Sequence, residues 1–182
     1  EIHPRFVGSH PMAGKATSGV ESGQHGLFKG RPWVSTPDSE TDLEALNMIN
    51  QLALMLGSQW ITTDAESHDH AVGLISHLPV LISASLLKTV EKEQSQKIRN
   101  LTKKLASSGF EDTTRVGGGN PQLGSAMASE NTTTILKAIA EYRVSLNQIE
   151  KSIIEQDWER LEKELKSAQT FRSNFLNSNS DP

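Results

Sequence analysis

A histidine held between glycines is the first place in this chain where chemistry could happen: Gly8-Ser9-His10-Pro11-Met12-Ala13-Gly14. The segment follows a short β-leaning run at residues 5–7, so His10 is expected at the carboxyl end of a strand, where open α/β sheets hold their ligands. Imidazole exchanges a proton near neutral pH and is the natural acceptor for one leaving a hydroxyl. Pro11 and the flanking glycines fix the turn and let a ligand approach the backbone. Taken alone, a lone loop histidine is more often structural or merely exposed than catalytic.

Two further groups could meet it. Ser67-His68-Asp69-His70 and Ser76-His77-Leu78-Pro79 fall on one predicted helix. His70 and His77 are two turns apart and share a face on a 3.6-residue period, whereas His68 and His77 superpose less well. Zinc favours ligands four residues apart on a helix, or a third ligand nearby, so no metal site is expected. Helix capping by Ser67, or polar lining of a cleft, accounts for these residues equally well. The other group is Asp112-Thr113-Thr114-Arg115, placed in a predicted loop between helices. A guanidinium there offers a carboxylate two parallel charge-assisted hydrogen bonds; a surface pair with Asp112 is the plainer alternative. Two glycine-rich stretches mislead. Gly8 to Gly14-Lys15 is one residue too long for a phosphate-binding P-loop and has Ala16 where a hydroxyl should hold magnesium. Gly117-Gly118-Gly119 lies between helices and has Gln122 where a dinucleotide fingerprint needs its last glycine.

The elements that must position these residues follow from periodicity. Residues 1–37 are rich in Gly, with short β-leaning runs at 5–7 and 33–35 that need a larger sheet to pair with. Thr41 with Glu44 forms a capping-box pattern; Leu43, Leu46, Ile49, Leu52 and Leu56 make a helical stripe, and Gly57 stops it. A second helix is expected over 67–108, bent at Pro79. An irregular stretch follows over 110–125, helix resumes near Asn131, and Asp157 caps a final helix bearing Trp158, Leu161, Leu165, Ala168 and Phe171. The expected class is mainly α: residues 38–176 form a helical domain, preceded at 1–37 by the last strands of a Rossmann-type α/β domain and followed by a tail at 177–182. The chain opens on Glu1 and runs into an expected strand, so it reads as part of a longer protein.

Bulk properties narrow the partners. A net charge of −4 over 182 residues gives no reason to expect nucleic acid. With no cysteine there is no disulfide framework or thiolate chemistry, which suits the cytoplasm. The apolar stretch 78–87 spans about half the ~20 residues of a membrane helix, so no membrane is expected.

Together, GSHPMAG at 8–14, LFKGRPWVSTP at 27–37, the HD…SHLP pattern at 68–79, GFEDTTR at 109–115, Asn120-Pro121 and the Asp157 helix resemble the arogenate/prephenate dehydrogenase family. HPMAG alone is a weak pattern; the ordered set is specific. The resemblance implies a nucleotide-binding Rossmann domain followed by a helical dimerisation domain, of which this chain has the last strands of the first and the second. It implies oxidative decarboxylation of a cyclohexadienyl substrate, arogenate to tyrosine or prephenate to 4-hydroxyphenylpyruvate, with NADP or NAD held by residues upstream of Glu1. His10 would take the ring hydroxyl's proton, Arg115 would grip a substrate carboxylate, and His77 would line the substrate site with His68 and Asp69 in support. A serine the family carries before HPMAG would also fall upstream. Two departures matter: Val80 stands where many prephenate-using members have a second histidine, and Gly124 near the place of a common tryptophan. Both point to a cyanobacterial-type member using arogenate and NADP. The resulting expectation is a homodimeric oxidoreductase of tyrosine biosynthesis, inert in this portion alone. The rival readings are a non-catalytic helical dimerisation module, and another two-domain dehydrogenase with a helical substrate domain.

Overall fold

The computed structural model describes His3 and residues 5–14 and 19–177. Lys15 and Ala16 of the P-loop comparison lie outside the described residues, as does the predicted tail beyond Asn177. The chain forms two compact units, Glu1–Ile135 and Leu136–Pro182.

The first unit opens with a three-stranded sheet in the order β1 (Ser9–Pro11), β2 (Pro32–Ser35), β3 (Gln59–Thr62). β1 runs antiparallel to β2 with His10 opposite Val34, and β2 runs parallel to β3 with Val34 opposite Ile61. The parallel pair is joined through helix α1 (Leu43–Met55), as a parallel pair requires. The central strand buries Trp33, Val34 and Ser35, and Phe28 packs on the Trp33 ring at 5.6 Å.

The structure departs from the sequence expectations at several points. The first strand is not at 5–7: pairing with β2 begins when Gly8 O accepts from Thr36 N at 2.8 Å. Arg5 instead sits in a turn and pairs with Glu44 at 3.1 Å and Asp42 at 3.8 Å. His10 is therefore inside the strand rather than beyond its end. Asp42, not Thr41, caps α1, its carboxylate accepting from Ala45 N at 2.7 Å, while the Thr41 hydroxyl turns to Asp38. The face of α1 that is buried belongs to Ala45 and Ala53, with Leu43 and Leu52 exposed. Gly57 ends the helix as expected, at φ +76°. β3 was not anticipated, although Trp60, Ile61 and Thr62 carry ordinary strand preference.

The expected single helix over 67–108 is a broken column. Asp64, rather than Ser67, caps α2 (Ala65–Val72), accepting from Ser67 N at 2.7 Å. A π turn follows at Gly73–His77 and then α3 (Leu78–Glu91). Pro79 falls in the first turn of α3, where its missing N–H and bulky ring are accommodated by the wide turn before it. The column of 27 residues is long and apolar enough by composition to cross a membrane; here it buries Val72, Gly73 and Ser83 within the protein. Ser95 caps a separate amphipathic helix, α4 (Gln96–Leu105).

The stretch expected to be irregular is mostly helical: α5 (Ser108–Thr114), then α6 (Pro121–Glu130). Asn120 accepts from the backbone N–H of Gln122 at 2.9 Å, and Pro121 takes the first helical position, where its missing N–H costs nothing. α7 (Thr132–Ile154) follows directly.

The second unit contains the rest of α7 and α8 (Trp158–Asn177). Asp157 N donates to buried Ser152 O at 2.9 Å, and the Asp157 side chain accepts from Arg160 N at 3.0 Å, so the predicted cap is in place. Helix dominates the described chain, and the three short strands all precede α2.

Candidate active site

The π turn decides which histidines meet. In an unbroken α-helix His70 and His77 would share a face, but an i→i+5 turn makes the residues beyond it lag behind α-helical register. The result brings His77 round toward His68. His70 faces elsewhere, beside a shallow depression lined by Asp64, Glu66, Ser67, Ala71 and Leu74.

Three side chains then form one hydrogen-bonded run. The Asp69 carboxylate lies 2.9 Å from His68 Nδ1, and His68 Nε2 lies 2.9 Å from His10 Nδ1. A carboxylate only accepts, so His68 donates from Nδ1 and, when neutral, keeps a lone pair on Nε2. That lone pair accepts from His10 Nδ1–H, which leaves the lone pair of His10 on Nε2. The two rings meet edge to face, 5.2 Å between centroids. Partial burial is the largest cause holding the His10 pKa below its ordinary value, followed by the neighbouring His68 and His77. His10 is therefore a neutral, oriented proton acceptor at physiological pH.

His77 stands at the end of the π turn. Burial also lowers its pKa, opposed by the Asp69 carboxylate and aided by His68. Asn131 at the α6–α7 joint reaches it: the side-chain Nδ2 lies 3.4 Å from His77 Nδ1 and donates to Asp69 O at 2.7 Å. Asn131 was not singled out from the sequence, because nothing local marks an asparagine between two helices as part of a site.

Arg115 is placed differently. It ends α5 rather than lying in a loop, its side chain is exposed, and among the described residues it makes no hydrogen bond or ion pair with Asp112 or with the histidines. Its backbone is nevertheless held to the same column. Ser83, in α3, donates its hydroxyl to Thr113 O at 2.9 Å and accepts from Gly117 N at 2.8 Å. A Cβ on Gly117 would lie 2.2 Å from Ala84 N, so only glycine permits this approach. The structure thus gathers His10, His68, Asp69 and His77, and anchors the Arg115 segment on α3 two turns beyond His77.

Among the described residues no group of three or more His, Cys, Asp or Glu is disposed to hold a metal ion. The described elements also do not fit a dinucleotide's phosphates. The helices that follow sheet strands, α1 and α2, are capped by Asp42 and Asp64 and carry Glu44 and Glu66 in their first turns. Carboxylates already fill the positions where a pyrophosphate would bind.

Two family models match the chain: prephenate dehydrogenase, nucleotide-binding domain, over residues 1–62, and prephenate dehydrogenase, dimerization domain, over residues 64–167. A prephenate dehydrogenase of Bacillus subtilis is 30% identical over 168 residues, covering 92% of this chain and 45% of that protein. A cyclohexadienyl dehydrogenase of Zymomonas mobilis is 31% identical, covering 92% of this chain and 57% of that one. Among solved structures, Synechocystis arogenate dehydrogenase superposes with a TM-score of 0.82 at 40% identity, over 93% of this chain and 61% of its own. Prephenate dehydrogenase from A. aeolicus, in complex with hydroxyphenyl propionate and NAD+, gives 0.87 at 30% identity, over 94% and 59% respectively. The chain spans about half the length of the curated relatives it matches.

Proposed function

This chain belongs to the prephenate dehydrogenase family, and on that premise we propose that it supplies the substrate side of an NAD(P)-dependent oxidative decarboxylation. The substrate is a cyclohexadienyl ring bearing a hydroxyl and a ring carboxylate. A nicotinamide cofactor, held by a complete nucleotide-binding domain, would supply the acceptor for hydride from the hydroxyl-bearing carbon. His10 accepts the hydroxyl proton at Nε2; as CO2 leaves, the electron pair of the breaking C–C bond makes the ring aromatic, and the ring oxygen takes a proton back. The observation that carries the reading is the Asp69–His68–His10 run, which orients one lone pair outward and places a carboxylate at the far end to stabilise the positive charge that proton uptake creates.

Arg115 grips a substrate carboxylate, and His77 lines the ring site. Support for pairing Arg115 with the histidines is the Ser83–Gly117 clamp, which ties its segment to the helix that carries His77. Val80 lies just past His77, and Gly124 approaches it to 3.9 Å measured from a Cβ built on the glycine. Val80 and Gly124, standing where a histidine of many prephenate-using members and a common tryptophan would be, favour arogenate as the substrate, and the likeness to cyanobacterial-type members favours NADP as the cofactor. Comparison of kcat/KM for arogenate and prephenate in a two-domain version tests this; a strong preference for prephenate ends the arogenate reading.

With no phosphate-binding turn among its described elements, the chain alone neither binds dinucleotide nor turns over. An equilibrium titration with NADP should show no binding, and joining a complete nucleotide-binding domain should restore it. The protein works in the cytoplasm as a homodimer through the helical domain. Exposed Leu165 and Phe171 on α8, and Leu136 on α7, support a partner surface. Sedimentation of the chain at increasing concentration tests the dimer, and a monomer throughout would overturn it.

A further inference from the structure

Asn131 meets two acceptor positions with one nitrogen. Its Nδ2 carries two hydrogens, one directed to the main-chain carbonyl of Asp69 at 2.7 Å and the other toward His77 Nδ1 at 3.4 Å. The Asp69 carbonyl can only accept. It therefore fixes which end of the amide faces α2, because turning the amide over would set Oδ1 against a second oxygen. With the nitrogen so fixed, the ring atom it faces must offer a lone pair. A neutral His77 then carries its proton on Nε2, and that atom has no hydrogen-bond partner among the described residues.

The joint that holds Asn131 is closely built. Its own carbonyl accepts from Ile135 N at 3.0 Å at the start of α7. The π turn presents Gly73 to this joint: a Cβ there would come within 2.7 Å of Thr134 Cγ2 and 3.5 Å of Asn131 Nδ2. A larger residue at 73 would push the amide away from the ring.

We propose that Asn131 is a positioning residue, holding His77 in the Nε2–H tautomer so that the π turn offers a substrate oxygen a hydrogen-bond donor. The use of that donor rests on the dehydrogenase reading; the tautomer does not. The two imidazoles then have opposite polarity. His10 presents a lone pair, suited to a hydroxyl that must lose its proton, and His77 presents an N–H, suited to an oxygen that keeps its electrons. Were both rings free to choose, three of their four combinations would place a donor against the hydroxyl proton, an acceptor against a carboxylate, or both.

The titratable groups facing His77 are His68 and Asp69 from α2 and His10 from β1. Lys88 and Glu91 lie at the far end of α3, and Glu130, the one titratable residue of α6, is exposed.

The test is imidazole nitrogen NMR on the 15N-labelled chain. Wild-type His77 should be neutral at pH 7 with its proton on Nε2. Asn131→Asp, nearly isosteric, replaces the donor by an acceptor and should move a majority of His77 rings to a proton on Nδ1, with the titration shifted to higher pH. Asn131→Leu should give a mixture of tautomers. The spectra of His10 and His68 report that the cluster is intact. A wild-type His77 protonated on Nδ1 overturns the proposal without any variant, and so does an Asn131→Asp chain whose His77 tautomer and titration match wild type. Kinetics of Asn131→Asp in a two-domain version address the other link. A raised KM with kcat little changed is expected; unchanged kinetics beside the expected tautomer would remove His77 from substrate binding while the positioning assignment stands.

Discussion

The histidine cluster and the Arg115 segment hang on the same column of α2, π turn and α3, yet they are built on opposite plans. At the histidine end every ring is tied by its side chain: Asp69 to His68, His68 to His10, Asn131 to His77. At the arginine end only the backbone is tied, through Ser83 to Thr113 O and Gly117 N, and the guanidinium is left exposed. The difference suits the roles proposed for the two groups. A proton acceptor is useful only in one tautomer and one orientation, so its partners must be present before substrate arrives. A flexible cation that grips an anion needs a well-placed root and a free arm.

The comparison predicts unequal responses. The largest belongs to His10: its replacement by alanine in a two-domain version should lower kcat by about 10²–10⁴-fold and leave KM nearly unchanged, as measured by steady-state kinetics. A large rise in KM instead would make His10 a binding group and erase the contrast between the two ends. Arg115→Ala should act the other way. Loss of a charge-assisted pair of about 1.5–3 kcal/mol should raise KM by about 10–100-fold with a smaller effect on kcat.

Gly117→Ala sharpens the claim that the arginine end is held by backbone. The new methyl meets Ala84 N and the Ser83 carbonyl carbon, so stability should fall by about 1–3 kcal/mol in urea unfolding. KM should rise in parallel, because the root of Arg115 moves. A fall in stability with KM unchanged would show that Arg115 does not depend on the clamp.

The smallest effect concerns pH. His10 and His77 both titrate below the ordinary 6.5, burial being the first cause in each. Above that value both rings are neutral folded or unfolded, and nothing separates the two states. As pH falls below 6.5 the unfolded chain takes up protons first, so stability should decline until the lowered folded-state values are passed. Urea midpoints between about pH 7.5 and about pH 5 should drop, and the drop should shrink in a His10→Asn, His77→Asn double variant.

Much of this was legible in the sequence, for identifiable reasons. His10, His68, Asp69, His77 and Arg115 are uncommon types in ordered short patterns, and the Asp157 cap and Gly57 stop are strictly local signals. What failed was geometry that depends on neighbours. Counting along an ideal helix paired His70 with His77, because nothing in Gly73–His77 announces a π turn until Pro79 and the packing of Thr134 against Gly73 are seen together. Asn131 escaped notice because its partner Asp69 lies 62 residues away. The run at 110–125 looks too rich in glycine for helix, yet α5 begins at Ser108 and ends with the Thr114 hydroxyl donating to Phe110 O, and the Asn120-Pro121 pair starts the next helix. The leucine stripe of α1 was real as a pattern and wrong as a core, since the smaller Ala45 and Ala53 occupy the buried face.

The wide turn at Gly73–His77 also makes hydrogen-bond spacing a site determinant in its own right. Closing it into an ordinary α-helical turn, with every residue kept, would advance everything past it by about 100° around the axis. His77 would part from its neighbours, and the segment fastened to Ser83 would travel with it. Every functional letter would remain in the gene, still recognisable to anyone scanning for motifs, while the arrangement those letters specify would be gone.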